Sequence, residues 1–179
     1  MRIISGTARG RRLATFPGRQ IRPTSDRVRE AIFSMLLSRL ETFAGKNVLD
    51  LYAGTGAMAI EALSRGAARA VLIDQGPQAA SLIPGNLQSC GFDQRAHFLR
   101  TPVEQTLPRL SPETFDLIFA DPPYDLEGTE AIPDRVFDGG MLLEDGWLVM
   151  EHPGEKSYKE HPRFFELRKY GRVHFSFFK

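Results

Sequence analysis

Val48-Leu49-Asp50-Leu51-Tyr52-Ala53-Gly54-Thr55-Gly56-Ala57-Met58-Ala59-Ile60-Glu61-Ala62 is the stretch from which the fold follows. It opens with an apolar run short enough for a buried strand, turns through two glycines, and resumes as an alanine-rich helix. Gly54 and Gly56 permit a tight turn and a close approach of backbone to a ligand, beside the unpaired amides of a helix N-terminus.

Outward from this unit, strands and helices alternate. The pattern predicts strands over 48–52, 70–74, 97–100, 115–120 and 147–151, and helices over 57–65, around 78–89 and including 133–137. Such alternation gives a parallel sheet covered by helices on both faces. The tail differs: Phe165 and Leu167, then Val173, Phe175 and Phe177, alternate with polar residues around Tyr170-Gly171, the mark of an antiparallel hairpin at a sheet edge. The expected fold is α/β and Rossmann-like, a mostly parallel seven-stranded sheet closed by that hairpin. Before the sheet, a helix starts after Pro23 with Thr24 or Ser25 as N-cap, its apolar face formed by Val28, Ala31, Ile32, Met35 and Leu36. Residues 2–16 read as a short hairpin bending near Gly6 and Gly10, broken by Pro17-Gly18. One domain over 1–179 is expected, residues 1–23 being a basic arm and 24–179 the body.

The chain of 179 residues is 42% hydrophobic and 25% charged, in the range of an ordinary globular domain. The single Cys90 excludes an internal disulfide and a cysteine zinc site, and the four histidines stand apart from one another, so no metal is expected. No apolar run approaches the roughly 20 residues of a membrane span, and Arg2 is not followed by a signal-peptide core. A cytoplasmic monomer is the expectation. The net charge of +1 conceals an asymmetry: residues 1–29 carry eight arginines, no lysine and only Asp26 as an acid, leaving the remainder negative. Guanidinium binds phosphate bidentately and stacks on bases, so a basic arm on an acidic body suits a polyanion. Arg9, Arg11, Arg12, Arg22, Arg27 and Arg29 are the candidate contacts; a merely solvated basic face would look the same.

Two acids frame the glycine turn. Asp74 closes the next strand 20 residues past Gly54, where a ribose hydroxyl pair is gripped in nucleotide-type sites. A nicotinamide dinucleotide satisfies this pattern too. Asp50, four residues before Gly54, separates the readings, because it repels a pyrophosphate but welcomes the cationic amino-acid end of S-adenosylmethionine. Tyr52, Thr55 and Val103 complete the candidate cofactor set, and a helix-capping role for Asp50 stays open.

Phe115-Asp-Leu-Ile-Phe-Ala-Asp121-Pro122-Pro123-Tyr124 carries the chemistry. In an open α/β sheet the ligand crevice lies beyond the carboxyl ends of the strands, so Asp121 points to the same rim as Gly54 and Gly56. Prolines fix φ and offer no N–H, which stiffens their carbonyls as acceptors. An exocyclic base amine has its lone pair delocalised into the ring. Acceptors at Asp121 and the Pro122 carbonyl would take both its N–H groups and aim the nitrogen at a methyl donor. Tyr124 offers a face for stacking a flipped base.

On these motifs, together with Arg2-Ile-Ile-Ser-Gly-Thr-Ala-Arg-Gly-Arg-Arg-Leu13, Arg22-Pro-Thr-Ser-Asp-Arg-Val-Arg-Glu-Ala31 and Ile60-Glu-Ala-Leu-Ser-Arg-Gly66, the whole chain resembles the RsmD family of bacterial guanine-N2 methyltransferases of small-subunit ribosomal RNA. The resemblance implies S-adenosyl-L-methionine as cofactor and one methyl placed on N2 of a guanine in 16S rRNA, within an assembled or partly assembled small ribosomal subunit. Two stretches depart from the family pattern. Ile73-Asp74-Gln75 carries an acid one methylene shorter than usual. In Thr101-Pro102-Val103, Pro102 stands where a polar side chain meets the adenine amine, leaving the Val103 amide for that contact. A DNA adenine-N6 or cytosine-N4 methyltransferase is the alternative within the same chemistry. A dinucleotide enzyme and a non-catalytic RNA-binding assembly factor are the more distant ones.

Overall fold

A computed structural model describes every residue except 17–24, 111 and 113. Arg19, Arg22, Thr24 and the Pro17-Gly18 break therefore lie outside the described residues. Seven strands form one sheet: β1 (Asn47–Leu51), β2 (Arg69–Ile73), β3 (Ala96–Leu99), β4 (Phe115–Ala120), β5 (Leu142–Pro153), β6 (Phe164–Tyr170) and β7 (Val173–Phe178). Their spatial order is β3-β2-β1-β4-β5-β7-β6. The first five run parallel, while β7 enters antiparallel between β5 and β6. The expected Rossmann-like sheet with its C-terminal hairpin is the one observed.

Side chains alternate across a strand, so each strand feeds two cores. One core holds Val48, Leu72, Leu117, Phe119, Val149 and Phe177 beneath α1 (Asp26–Leu40), α2 (Ala57–Ser64) and α3 (Pro77–Cys90). The other holds Leu49, Leu51, Ile73, Ile118, Leu148 and Met150 beneath α4 (Val103–Thr106) and α5 (Ile132–Asp138). Helix α1 begins as expected, with the Ser25 hydroxyl accepting from the Val28 amide. Its buried face differs from the expected one. Arg29, Ile32, Phe33, Leu36 and Leu40 point inward, and Val28, Ala31 and Met35 sit at the margin.

The N-terminal segment is held more by α2 than by itself. Among the described residues an isolated antiparallel bridge, Arg2 to Arg12, links its two limbs, with Ile3 N donating to Arg11 O and Gly10 N to Ile3 O, each at 2.9 Å, and Leu13 N to Met1 O at 3.2 Å. Ile3, Ala8 and Leu13 are buried in the α1–α3 core. The fully buried Glu61 carboxylate accepts from the Ile4 and Ser5 amides at 2.8 and 3.1 Å, and Ser64 takes the Thr7 and Ala8 amides. Asn86 in α3 accepts from Ala14 N at 2.8 Å and donates to Ala14 O and Thr55 O. That one side chain ties the end of the segment to the glycine turn.

Candidate active site

Register explains where the site forms. Asp50 lies beside Phe119, Phe119 beside Val149, and Val149 beside Phe177, making one row across the sheet. Two residues further along, on the same face, comes a second row. Ala120 pairs with Met150 and Leu51 with Ala120, so the next step sets Tyr52, Asp121 and Glu151 side by side, with Phe175 opposite Glu151. The Asp121 amide continues the ladder by donating to Leu51 O at 3.3 Å. A cavity of about 370 Å³ opens over these rows, its walls including Asp50, Tyr52, Phe119, Asp121, Val149, Glu151 and Phe175. This volume falls in the range of about 300–1,000 Å³ typical of small-molecule sites. Ala53, Gly54, Thr55 and Met58 from the turn and α2 close one side, and Met1, Thr15 and Phe16 from the N-terminal segment close another.

Around the glycine turn the structure makes Asp50 both a cap and a wall. Its Oδ2 accepts from the Ala59 amide at 3.0 Å, serving α2 as a capping acid reaching in from the strand. Burial, with the nearby Asp74 charge, pushes its carboxyl up to about 8 despite that hydrogen bond. Gly56 has φ +78°, and a Cβ there would press on Leu72, Ile60 and Ile83. Gly54, at φ +58°, has open space on its Cβ side, which leaves its backbone approachable. Asp74 stands off the cavity walls, its two oxygens accepting from Gly54 N at 2.8 Å and Gly76 N at 2.7 Å. The Thr55 hydroxyl donates to the Met1 sulfur at 3.8 Å. Tyr52 takes a left-handed backbone, φ +60°, which is unusual for an aromatic residue. Its hydroxyl donates to Glu104 Oε1 at 2.7 Å, fastening the wall to α4, and burial raises its phenol. Val103, the first residue of α4, is buried in the opposite core and is not a wall residue.

Beyond β4, Asp121 reaches solvent at the cavity mouth but is crowded by protein elsewhere. That crowding, with the charges of Glu151 and then Asp50, holds its carboxyl well above the usual carboxylate range. Pro122 is buried, Pro123 is exposed, and Tyr124 is 50% exposed. Burial and the Glu151 and Asp121 charges push the Tyr124 phenol up to about 12. Among the described residues no group of three acids, histidines or cysteines is placed to hold a metal ion.

The arginines divide into two kinds. Arg9, Arg11, Arg12 and Arg27 are exposed. Arg29 is not: it is 1% exposed, lines the cavity wall, and cannot meet an external polyanion. Its Nη2 donates to Arg2 O and to Asp26 Oδ1, and its Nε lies 4.0 Å from Glu61 Oε2. The expectation that Arg29 contacts nucleic acid is thereby overturned, since its helix position faces the core together with Ile32, Phe33 and Leu36. Sequence reasoning also missed Glu151 as a wall residue and Asn86 as a tie. Each is a polar residue that the sequence alone does not mark as buried, and such residues are buried only when paired.

Among known proteins, the chain is 38% identical over 162 residues to YlbH of Bacillus subtilis (strain 168), covering 89% of this chain and 86% of YlbH. It is 30% identical over 169 residues to the ribosomal RNA small subunit methyltransferase D of Escherichia coli (strain K12), covering 94% of this chain and 83% of that protein. The solved structure of a hypothetical protein from Thermus thermophilus superposes with a TM-score of 0.85 at 30% identity, over 100% of this chain and 99% of the other. The model of the family described as conserved hypothetical protein 95 matches residues 1–179, so the chain belongs to this family, the RsmD family.

Proposed function

We propose that this protein transfers a methyl group from S-adenosylmethionine to the exocyclic N2 of a guanine in 16S rRNA, presented in an assembled or partly assembled small ribosomal subunit. The observation that carries the proposal is the convergence of Asp121, Asp50 and the Gly54 turn on one cavity at the carboxyl edge of the sheet. Kinship with a methyltransferase of small-subunit ribosomal RNA supports the substrate class.

The residues fit the cofactor. A buried carboxyl at Asp50 suits a cationic amino group, the approachable backbone at Gly54 suits close contact, and the apolar wall of Phe119, Val149 and Phe175 suits a thioether chain. Asp74 retains lone pairs for a ribose despite its two amide bonds, since a carboxylate offers about four acceptor positions. Tyr52, Thr55, Gly56 and the Val103 amide are the remaining proposed contacts. When bound, the cofactor supplies an electrophilic methyl on a sulfonium.

The chain's own residues do the rest. Asp121 and the Pro122 carbonyl accept the two N–H groups of the guanine amine and aim its nitrogen, catalysis by orientation and electrostatics. Pro123 keeps this turn stiff, and the half-exposed face of Tyr124 stacks the extruded base. A carboxyl held above its usual range is a ready recipient for the proton shed as the amine is methylated. The exposed Arg9, Arg11, Arg12 and Arg27 grip backbone phosphates, with Arg22 as a further contact.

The test is methyl transfer from labelled S-adenosylmethionine to small subunits lacking the modification, beside naked 16S rRNA and duplex DNA. Label on N2 of one rRNA guanine is the expected outcome, and label on DNA alone refutes the substrate. Asp121→Ala should abolish turnover while leaving cofactor affinity within a few-fold; turnover surviving within a few-fold removes Asp121 from the mechanism.

A further inference from the structure

We propose that Glu151 is a positioning residue for this reaction: its charge, held beside Asp121 by strand register, governs when Asp121 takes a proton. The inference rests on the proposed methyl transfer for its meaning but not for its test. Glu151 is 9% exposed and sits on β5, whose backbone is paired on both sides, with β4 and with β7. One step past the Ala120–Met150 pair it becomes the lateral neighbour of Asp121. Both side chains line the same cavity.

The consequence is electrostatic. Two carboxyls side by side at one cavity do not readily ionise together, so a charge on Glu151 makes Asp121 a stronger proton acceptor. Other groups face the same space: Asp50 from β1, Tyr52 just after it, Arg29 from α1, Tyr124 itself, and Met1 with its amino group. Phe175 of β7, Ala57 and Met58 of α2, and Met1, Thr15 and Phe16 of the N-terminal segment add no carboxylate. In the reaction the N–CH₃ bond forms with the nitrogen lone pair as the S–CH₃ bond breaks, sulfur keeping that electron pair. One amine proton passes to Asp121 and then to solvent.

The experiment uses the full chain without cofactor. Carboxyl ¹³C resonances are titrated in the wild type and in Glu151→Gln, the Asp121 signal being assigned by its loss in Asp121→Asn. Glutamine keeps the shape of the side chain but carries no charge. The Asp121 midpoint should fall by a pH unit or more, a tenfold gain in acidity. An unmoved midpoint in a variant that melts like the wild type overturns the inference, whether or not the protein transfers methyl groups. In turnover assays the acid limb of kcat should shift down with the same substitution while KM changes less than about threefold. A fall in kcat in Glu151→Gln with an unshifted limb would make Glu151 merely structural. If the wild type transfers no methyl group while the Asp121 midpoint still moves, the proposed function fails and the pairing of Glu151 with Asp121 stands.

Discussion

Gly6 and Gly10 have the same backbone angle, φ +83°, and lie in the same N-terminal segment, yet alanine should act on them very differently. At Gly10 an added Cβ meets nothing within 4 Å. At Gly6 it would overlap the backbone carbonyl of Ser64 in α2, an atom that cannot swing aside. Both substitutions carry the left-handed penalty of roughly 1–2 kcal/mol, and both recover about 0.4–1 kcal/mol from a stiffer unfolded chain. Gly10→Ala should therefore cost about 1 kcal/mol. Gly6→Ala must in addition lift the segment from α2. That breaks the bonds from Thr7 N to Ser64 O, from Ala8 N to Ser64 Oγ and from Ser64 Oγ to Ser5 O, spanning 2.5 to 3.0 Å. At about 1 kcal/mol each, the total loss is about 4 kcal/mol. For a chain of this size the difference of about 3 kcal/mol corresponds to about 6–12 °C in Tm. Thermal and urea unfolding of both variants measure it directly. If the two melt within about 2 °C of each other, the segment is not latched to α2 as described.

Two further substitutions separate exposed from buried charge. Arg27→Ala should leave Tm unchanged and reduce the salt slope of rRNA binding by about one unit. Arg29→Met should instead lower stability by about 2 kcal/mol, since the bonds to Arg2 O and Asp26 are lost while Arg2 still faces Asp26 and Arg65 still pairs with Glu61, and loss of RNA affinity at unchanged Tm would sink this distinction. The pH dependence of stability follows from Asp50. Its carboxyl, pushed up to about 8 when folded, lies near 3.9 in an unfolded chain. The stability it contributes is fully present below about pH 4 and is lost as pH rises through about 8, with a slope no steeper than about 1.4 kcal/mol per pH unit. Asp50→Asn should flatten urea midpoints measured between pH 5 and 8, and an unchanged slope would mean that Asp50 ionises freely in the fold.

Much of the fold was legible because its strands are apolar runs bounded by turn residues. Phe115–Ala120 has the expected limits, and helices and strands elsewhere agree within a residue or two. The failures have physical causes. β5 starts at Leu142, well before the expected 147, because Glu144, Asp145 and Gly146 resemble a turn, although β4 pairs past them through a register shift. α4 went unseen because Pro102 suggests a break, whereas proline is well tolerated at a helix start. In α1 the expected face put Val28, Ala31 and Met35 beside Ile32 and Leu36, whereas the second, buried face puts Phe33 and Leu40 beside those two. The second requires Arg29 inside, and composition argues against burying an arginine until its partners Asp26 and Glu61 are known.

The same distinction separates the parts of the site that sequence could supply from those it could not. Asp50 and Asp121 each follow from their own strand, because the carboxyl ends of parallel strands share one rim. Glu151 does not, since the tail of β5 continues through His152 to Pro153 without a break that would mark a rim. Only pairing tells that Glu151, and not Met150 or His152, shares the row of Asp121. A shift of one residue would send Glu151 into the opposite core with Met150 and Leu148, where no carboxyl of the cavity could reach it. The acidity of this site is thus a property of register. Any change that slips β5 against β4, such as filling the tight space at Gly146 against Leu143 O and Phe115 O, should disturb Asp121 from a distance, without touching the cavity itself.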